Sequence, residues 1–133
     1  MSMEILESGY LEKKDGNKIL FSTKILLFKD EELYYFISLE LGILGHGKTK
    51  DEALRCLAVL FEYKLLFRAE SPYPIEIVPA EEKYFKAFQD LTKNYDENNV
   101  IEVDFNSLAK RIKDKLDPER VLNYGMFHPI AVA

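Results

Sequence analysis

The residues best placed by type and spacing to do chemistry run from Gly42 to Thr49. Gly42-Ile43-Leu44-Gly45-His46-Gly47-Lys48-Thr49 matches the phosphate-binding pattern G-x-x-x-x-G-K-[ST] between a predicted strand and a predicted helix. In a nucleotide site, Gly42 and Gly47 would let loop amides cradle phosphates. Lys48 would reach the terminal phosphate oxygens, and Thr49 would hold Mg²⁺. Three features weigh against that chemistry. Asp51 and Glu52 follow at once, where bound phosphates would meet two carboxylates. The preceding strand belongs to a predicted hairpin, whereas such loops leave a buried parallel strand. Only 84 residues follow Thr49, few for a series of βα crossovers. Asp104, the one Mg²⁺-aspartate candidate, follows a strand interrupted by Glu102.

Other reactive side chains lack partners in sequence. His46 stands alone between two glycines, and His128 precedes Pro129 in an apolar tail. Cys56, the single cysteine, excludes an internal disulfide and a cysteine-based zinc cluster. Asp30-Glu31-Glu32 are consecutive on a turn and diverge, while metal-assisted hydrolysis needs carboxylates converging from different elements. No catalytic residue, metal site or cofactor is expected. Lys110, Arg111, Lys113 and Lys115 form a basic cluster that could touch DNA phosphate, although Asp114 and Asp117 interrupt it. Tyr34, Phe36, Tyr63, Phe67, Tyr73, Tyr84, Phe85 and Tyr95 supply more aromatic surface than one small helix hides, and such surface favours interfaces.

The elements that must position these residues follow from periodicity. Tyr10–Lys13 is a short predicted strand, and Asp15-Gly16-Asn17 a tight turn. Ile19–Phe28 and Leu33–Leu41 alternate at period two around a charged turn, which predicts an antiparallel hairpin. In the first, Ile19, Phe21, Thr23, Ile25 and Leu27 share a face. A loop over 42–48 leads to a helix capped by Thr49, with Glu52 completing a capping box. Ala53, Leu54, Leu57, Leu60, Phe61 and Leu65 predict the face that covers the sheet, and Ser71-Pro72 ends the helix. Beyond lie a short strand at 75–78, a helix at 80–95, a strand at 100–105, a helix at 107–116 capped by Asn106 and a last short helix to Tyr124. The apolar ending Met126–Ala133 is expected to pack on this chain or another.

With 133 residues, 47% hydrophobic and 31% charged, the chain is sized for one globular domain plus an appendage. Residues 1–79 are read as the core and residues 80–133 as a C-terminal extension. No apolar run suits a membrane span, and the first residues lack a signal-peptide pattern, so a cytoplasmic protein is expected. Net charge is −5, with −4 in residues 80–105 and +2 in residues 106–133. A broad nucleic-acid surface would be basic, so the acidic middle favours a protein partner.

Two strands, a glycine loop and Gly47-Lys48-Thr49-Lys50-Asp51-Glu52-Ala53-Leu54 resemble the HicB-like antitoxin domain over residues 19–70. The family's helix start reads G-x-T-x-x-E-A-L. Its frequent Leu-Pro-Gly turn is replaced here by Leu41-Gly42-Ile43-Leu44-Gly45. The resemblance implies an α+β fold, a small antiparallel sheet (β-β-β-α-β, like a degenerate RNase H fold) with a covering helix, and here a mainly helical extension. It implies a non-enzymatic role in a toxin–antitoxin system, binding and neutralising a small basic, mRNA-cleaving toxin. Many such proteins also bind DNA, through a helix-turn-helix or ribbon-helix-helix that residues 80–133 do not display. Gly47, Thr49 and Glu52 would then be structural. The partner contacts would come from Tyr34, Phe36, Tyr84, Asp90, Tyr95, Asp96 and Glu97, with the chain a homo-oligomer, most simply a dimer. The alternatives are a small nucleotide-binding protein using Gly42–Thr49 and a stand-alone acidic inhibitor or accessory protein of a mobile element.

Overall fold

The computed structural model describes residues 4–15, 17–91, 105–111, 113 and 124–129. Strands β1 (Glu4–Asp15), β2 (Lys18–Asp30), β3 (Leu33–Ser38) and β4 (Leu44–Gly47) run in sequence, and α1 (Lys50–Glu70), α2 (Glu82–Leu91), α3 (Phe105–Arg111) and β5 (Tyr124–Pro129) follow. The sheet order is β4-β3-β2-β1-β5, with every neighbouring pair antiparallel. This is an α+β fold.

β2 is apolar on both faces, and its alternate residues serve two cores. Phe21, Ile25 and Leu27 join Phe36 of β3, Ala53, Leu57, Phe61 and Leu65 of α1, and Phe105 and Leu108 of α3. Leu26 and Phe28 join Tyr10 of β1, Ile37 of β3 and Phe88 of α2. The predicted pairing of the two central strands is present, with Asp30 opposite Leu33 across the charged turn. β1 is longer than the predicted Tyr10–Lys13, because it pairs along almost all of β2 with irregularities near Ile5/Glu7 and Lys13/Lys14. Met126–Pro129, part of the apolar ending, lie in β5, whose Tyr124, Gly125, His128 and Pro129 pair with β1 of the same chain.

Five expectations are corrected. The loop over 42–48 contains β4. Gly45 and Gly47 lie so close to α1 that an added Cβ would stand 2.5 Å from the Leu57 nitrogen and 2.5 Å from the Glu52 Cβ, respectively. These glycines therefore permit backbone-to-helix contact. Residues 75–78 alternate as a strand would, with Ile75 and Ile77 packed on the core, but among the described residues they pair with no strand. Asn106 does not cap a helix. It lies inside α3, and its side-chain oxygen accepts from the Ile75 amide at 2.9 Å. Phe105 opens α3 rather than ending a strand, while residues 100–104 and 114–123 are outside the described residues. Finally, Leu60 turns away from the sheet.

Candidate interaction surface

α1 begins as its sequence dictates. The Thr49 hydroxyl accepts the Glu52 amide at 3.1 Å, and the Glu52 carboxylate accepts the Lys48 amide at 2.9 Å, one residue earlier than the usual reciprocal partner. Gly42 takes a left-handed turn, φ 67°, beside the Val78 carbonyl. The glycines and Thr49 of the phosphate-loop match thus have folding roles, and Lys48 contributes its backbone amide. Residues 44–47 are extended in a sheet rather than curled around an anion. The Lys48 amide, which a phosphate would need, is occupied by the chain's own carboxylate.

Helix α1 is apolar on two sides. Ala53, Leu57, Ala58, Phe61 and Leu65 are buried. On the opposite side Leu60, Tyr63 and Phe67 are 39%, 52% and 68% exposed, with half-buried Cys56 one turn before them. Their positions, at i, i+4, i+7 and i+11 from Cys56, make one continuous stripe. Tyr73 and Val78, in the segment that follows α1, are also largely exposed, at 75% and 66%. Singly exposed apolar residues are commonplace, whereas these stand in a row on one side of a helix.

The end of this stripe is held in place. The Arg68 guanidinium donates to Asn106 Oδ1 at 2.5 Å and to the Ser71 carbonyl at 3.1 Å. Lys110 Nζ donates to the Ala69 carbonyl at 3.2 Å and to the Ser71 carbonyl at 2.8 Å. Two cations thus satisfy carbonyls at the negative end of the helix, where they are electrostatically favoured. Lys110, an expected DNA contact, serves α1. Lys113 is exposed, and the Arg111 side chain and Lys115 are outside the described residues.

The expected partner contacts are scattered. Phe36 is fully buried beneath α1 and belongs to the chain's own core. Tyr34 is half-buried, with Lys29 Nζ 5.1 Å from its ring centre. Tyr84 is half-buried on the opposite face, stacked on Phe28 at 6.1 Å. Asp90 is exposed at the end of α2, and Tyr95, Asp96 and Glu97 are outside the described residues. Leu60 and Val78 are surface residues that the sequence reading missed. The former was hidden by its fit to the inward pattern, the latter by its place in a predicted strand.

The remaining reactive groups are apart. His46 is exposed on β4, edge-on to Tyr35, while Cys56 sits on α1. Glu40 folds back to accept the Thr23 hydroxyl at 2.7 Å and the Lys24 amide at 2.8 Å. Among the described residues no group of three or more His, Cys, Asp or Glu side chains could hold a metal ion, and no helix is long and apolar enough to cross a membrane. Comparison with protein-family models, curated proteins and solved structures finds no match to this chain.

Proposed function

We propose that the chain is a non-catalytic, cytoplasmic interaction module that binds and neutralises a small basic, toxin-like protein. The observation that carries this reading is the second, exposed apolar side of α1, bearing Leu60, Tyr63 and Phe67. Aromatic and leucine side chains in a row contribute binding energy when a partner removes them from water. The net charge of −5 favours a basic partner and speeds its encounter. The HicB-like helix start supports the toxin–antitoxin assignment through sequence alone, because Gly47, Thr49 and Glu52 are occupied in building α1.

Purification from the native host at native expression level, with mass spectrometry of co-purifying proteins, tests this role. A small basic protein in stoichiometric amount, whose RNA cleavage stops when the chain is added, is the expected result. A chain that emerges without such a protein, or leaves its cleavage unchanged, would overturn it.

A further inference from the structure

Strand β4 ends the sheet with backbone groups turned outward. The Ser38 amide donates to the Ile43 carbonyl at 2.8 Å, and bonded pairs alternate along an antiparallel ladder. Phe36/Gly45 and Tyr34/Gly47 are therefore the bonded pairs of β3 and β4, and Leu44 and His46 direct their N–H and C=O groups away from β3. Among the described residues nothing pairs with these four groups. The Lys48 amide, next on the same edge, is held by the Glu52 carboxylate. Edge strands are commonly protected by proline or lysine, and Leu44–Gly47 contains neither.

Helix α1 continues this edge with apolar side chains. Ala53 and Leu57 meet the β4 glycines, whereas Glu62 reaches Lys13 of β1. At about 100° per residue these two directions are about 160° apart around α1, so β4 to β1 wrap the helix with about 50° between strands. In the opposite sense from β4, Leu60 and Cys56 lie about 40° and 80° round the helix, on either side of the next strand position. Both are level with β4, because Gly47 meets Glu52 and Ala53 while Gly45 meets Leu57. Leu60 is partly exposed, and Tyr63 and Phe67 extend the same side beyond it. Open backbone and apolar side chains thus adjoin. The backbone groups call for an extended chain, and Leu60 calls for apolar residues at its alternate positions.

A second copy does not fit this edge through its own β4. A Cβ on Gly45 would stand 2.5 Å from the Leu57 nitrogen and 2.8 Å from the Ala53 oxygen, so α1 lies directly over the edge strand. Two paired β4 strands would hold their helices about 5 Å apart, whereas packed helices need roughly 8–10 Å.

We propose that the outer edge of β4 accepts a strand from another protein, an extended segment whose alternate apolar residues lie against Leu60 and Cys56 of α1. This rests on the interaction-module reading and gives the form of the contact.

The test uses the full chain and a labelled peptide of alternating valine and lysine, with the same residues in scrambled order as the control for charge. Fluorescence anisotropy should show the alternating peptide binding at least about tenfold more tightly than the scrambled one. N-methylation of the valine amides alone, or of the lysine amides alone, should abolish binding in one case and spare it in the other, because side-chain face and bonding edge alternate together. In hydrogen exchange, the Leu44 and His46 amides should be unprotected in the free chain and protected with peptide, while those of Gly45 and Gly47 are protected throughout. His46→Pro should lose binding with little change in the thermal melt, since this amide makes no bond to β3. Leu60→Asp should weaken binding. Equal binding of the two peptides, binding of neither, the same effect from both N-methylations, protection of Leu44 and His46 in the free chain, or a dimer in sedimentation that His46→Pro dissociates would overturn the proposal. Co-purification of a small basic protein with His46→Pro as with the unaltered chain would overturn this placement while leaving the functional reading intact.

Discussion

Lys13 of β1 and Glu62 of α1 form a buried ion pair, 3.0 Å between Nζ and Oε2, with side chains 10% and 3% exposed. The ammonium reaches both carboxylate oxygens, at 3.1 and 3.0 Å. An apolar interface tolerates sliding, whereas this pair fixes which turn of α1 lies over β1. It thereby helps set which side of α1 faces out. Removing one partner takes from the other its ion pair in a dry environment.

Glu62→Leu should therefore destabilise the fold by about 3 kcal/mol, the usual scale for breaking a buried ion pair by removing one partner. Lys13→Met combined with Glu62→Leu should cost less than Glu62→Leu alone, because the buried pair is then removed as a whole. Denaturant unfolding of the unaltered chain, Lys13→Met, Glu62→Leu and the double variant checks this. A double variant as unstable as the sum of the two singles would show that the pair is not coupled.

The glycines of β4 provide a second test. Gly45→Ala places a methyl group against the Leu57 backbone, and Gly47→Ala places one against Glu52 and Ala53. Each should cost about 1–3 kcal/mol, the range for overpacking a close contact. Lys48→Ala, at an exposed residue, should stay within about 0.5 kcal/mol. A thermal-melt series separates the two outcomes, since a phosphate-binding role would make Lys48 matter for ligand and the glycines matter little for stability.

Much of this architecture was legible because it is local. Period two in residues 19–41 gave the central hairpin, and Thr49 with Glu52 marked the start of α1. Legibility failed where a neighbour decides the outcome. Gly45 and Gly47 read as loop residues, although their missing side chains let β4 lie beneath a helix. Ile75 and Ile77 have strand alternation, but the Ile75 backbone meets the Asn106 side chain. The candidate site was obscured for a different reason. Leu60 lies three residues after Leu57 and one before Phe61, so it fits an inward stripe equally well. A helix apolar on both sides carries little directional signal, and only the packed fold reveals which side is spare. Tyr63, Phe67 and Tyr73 were legible as surplus aromatics, without their place.

The β2–β3 turn holds a correctable strain. Glu31 has φ 43°, a left-handed conformation disfavoured for a residue with a side chain, at the first position of a two-residue hairpin loop. Glycine is preferred there. Glu31→Gly should raise stability by up to about 1 kcal/mol, given the usual cost of left-handed backbone. A thermal melt that falls instead would show that the turn does not retain this conformation.

Glu40 closes the end of the β2–β3 ladder with a side chain. Beyond Ser38, the Leu39 amide still donates to the Lys24 carbonyl at 2.9 Å, but the Lys24 amide finds the Glu40 carboxylate in place of a strand carbonyl. The Thr23 hydroxyl donates to the same oxygen, so its 2.7 Å contact with Ser38 must have serine as donor. Both hydroxyl-bearing residues are buried, and neither Thr23 nor the Lys24 amide could readily exchange this acceptor for water. Glu40→Ala should cost about 2–3 kcal/mol, the range for losing hydrogen bonds to a charged acceptor. Glu40→Gln should recover part of the loss, since its side-chain oxygen can accept one of the two bonds. Hydrogen exchange gives the site-specific readout: the Lys24 amide should be protected in the unaltered protein, lose most protection in Glu40→Ala and regain some in Glu40→Gln. If protection at Lys24 is unchanged by Glu40→Ala, another acceptor holds that amide and the strand-end role of Glu40 is wrong.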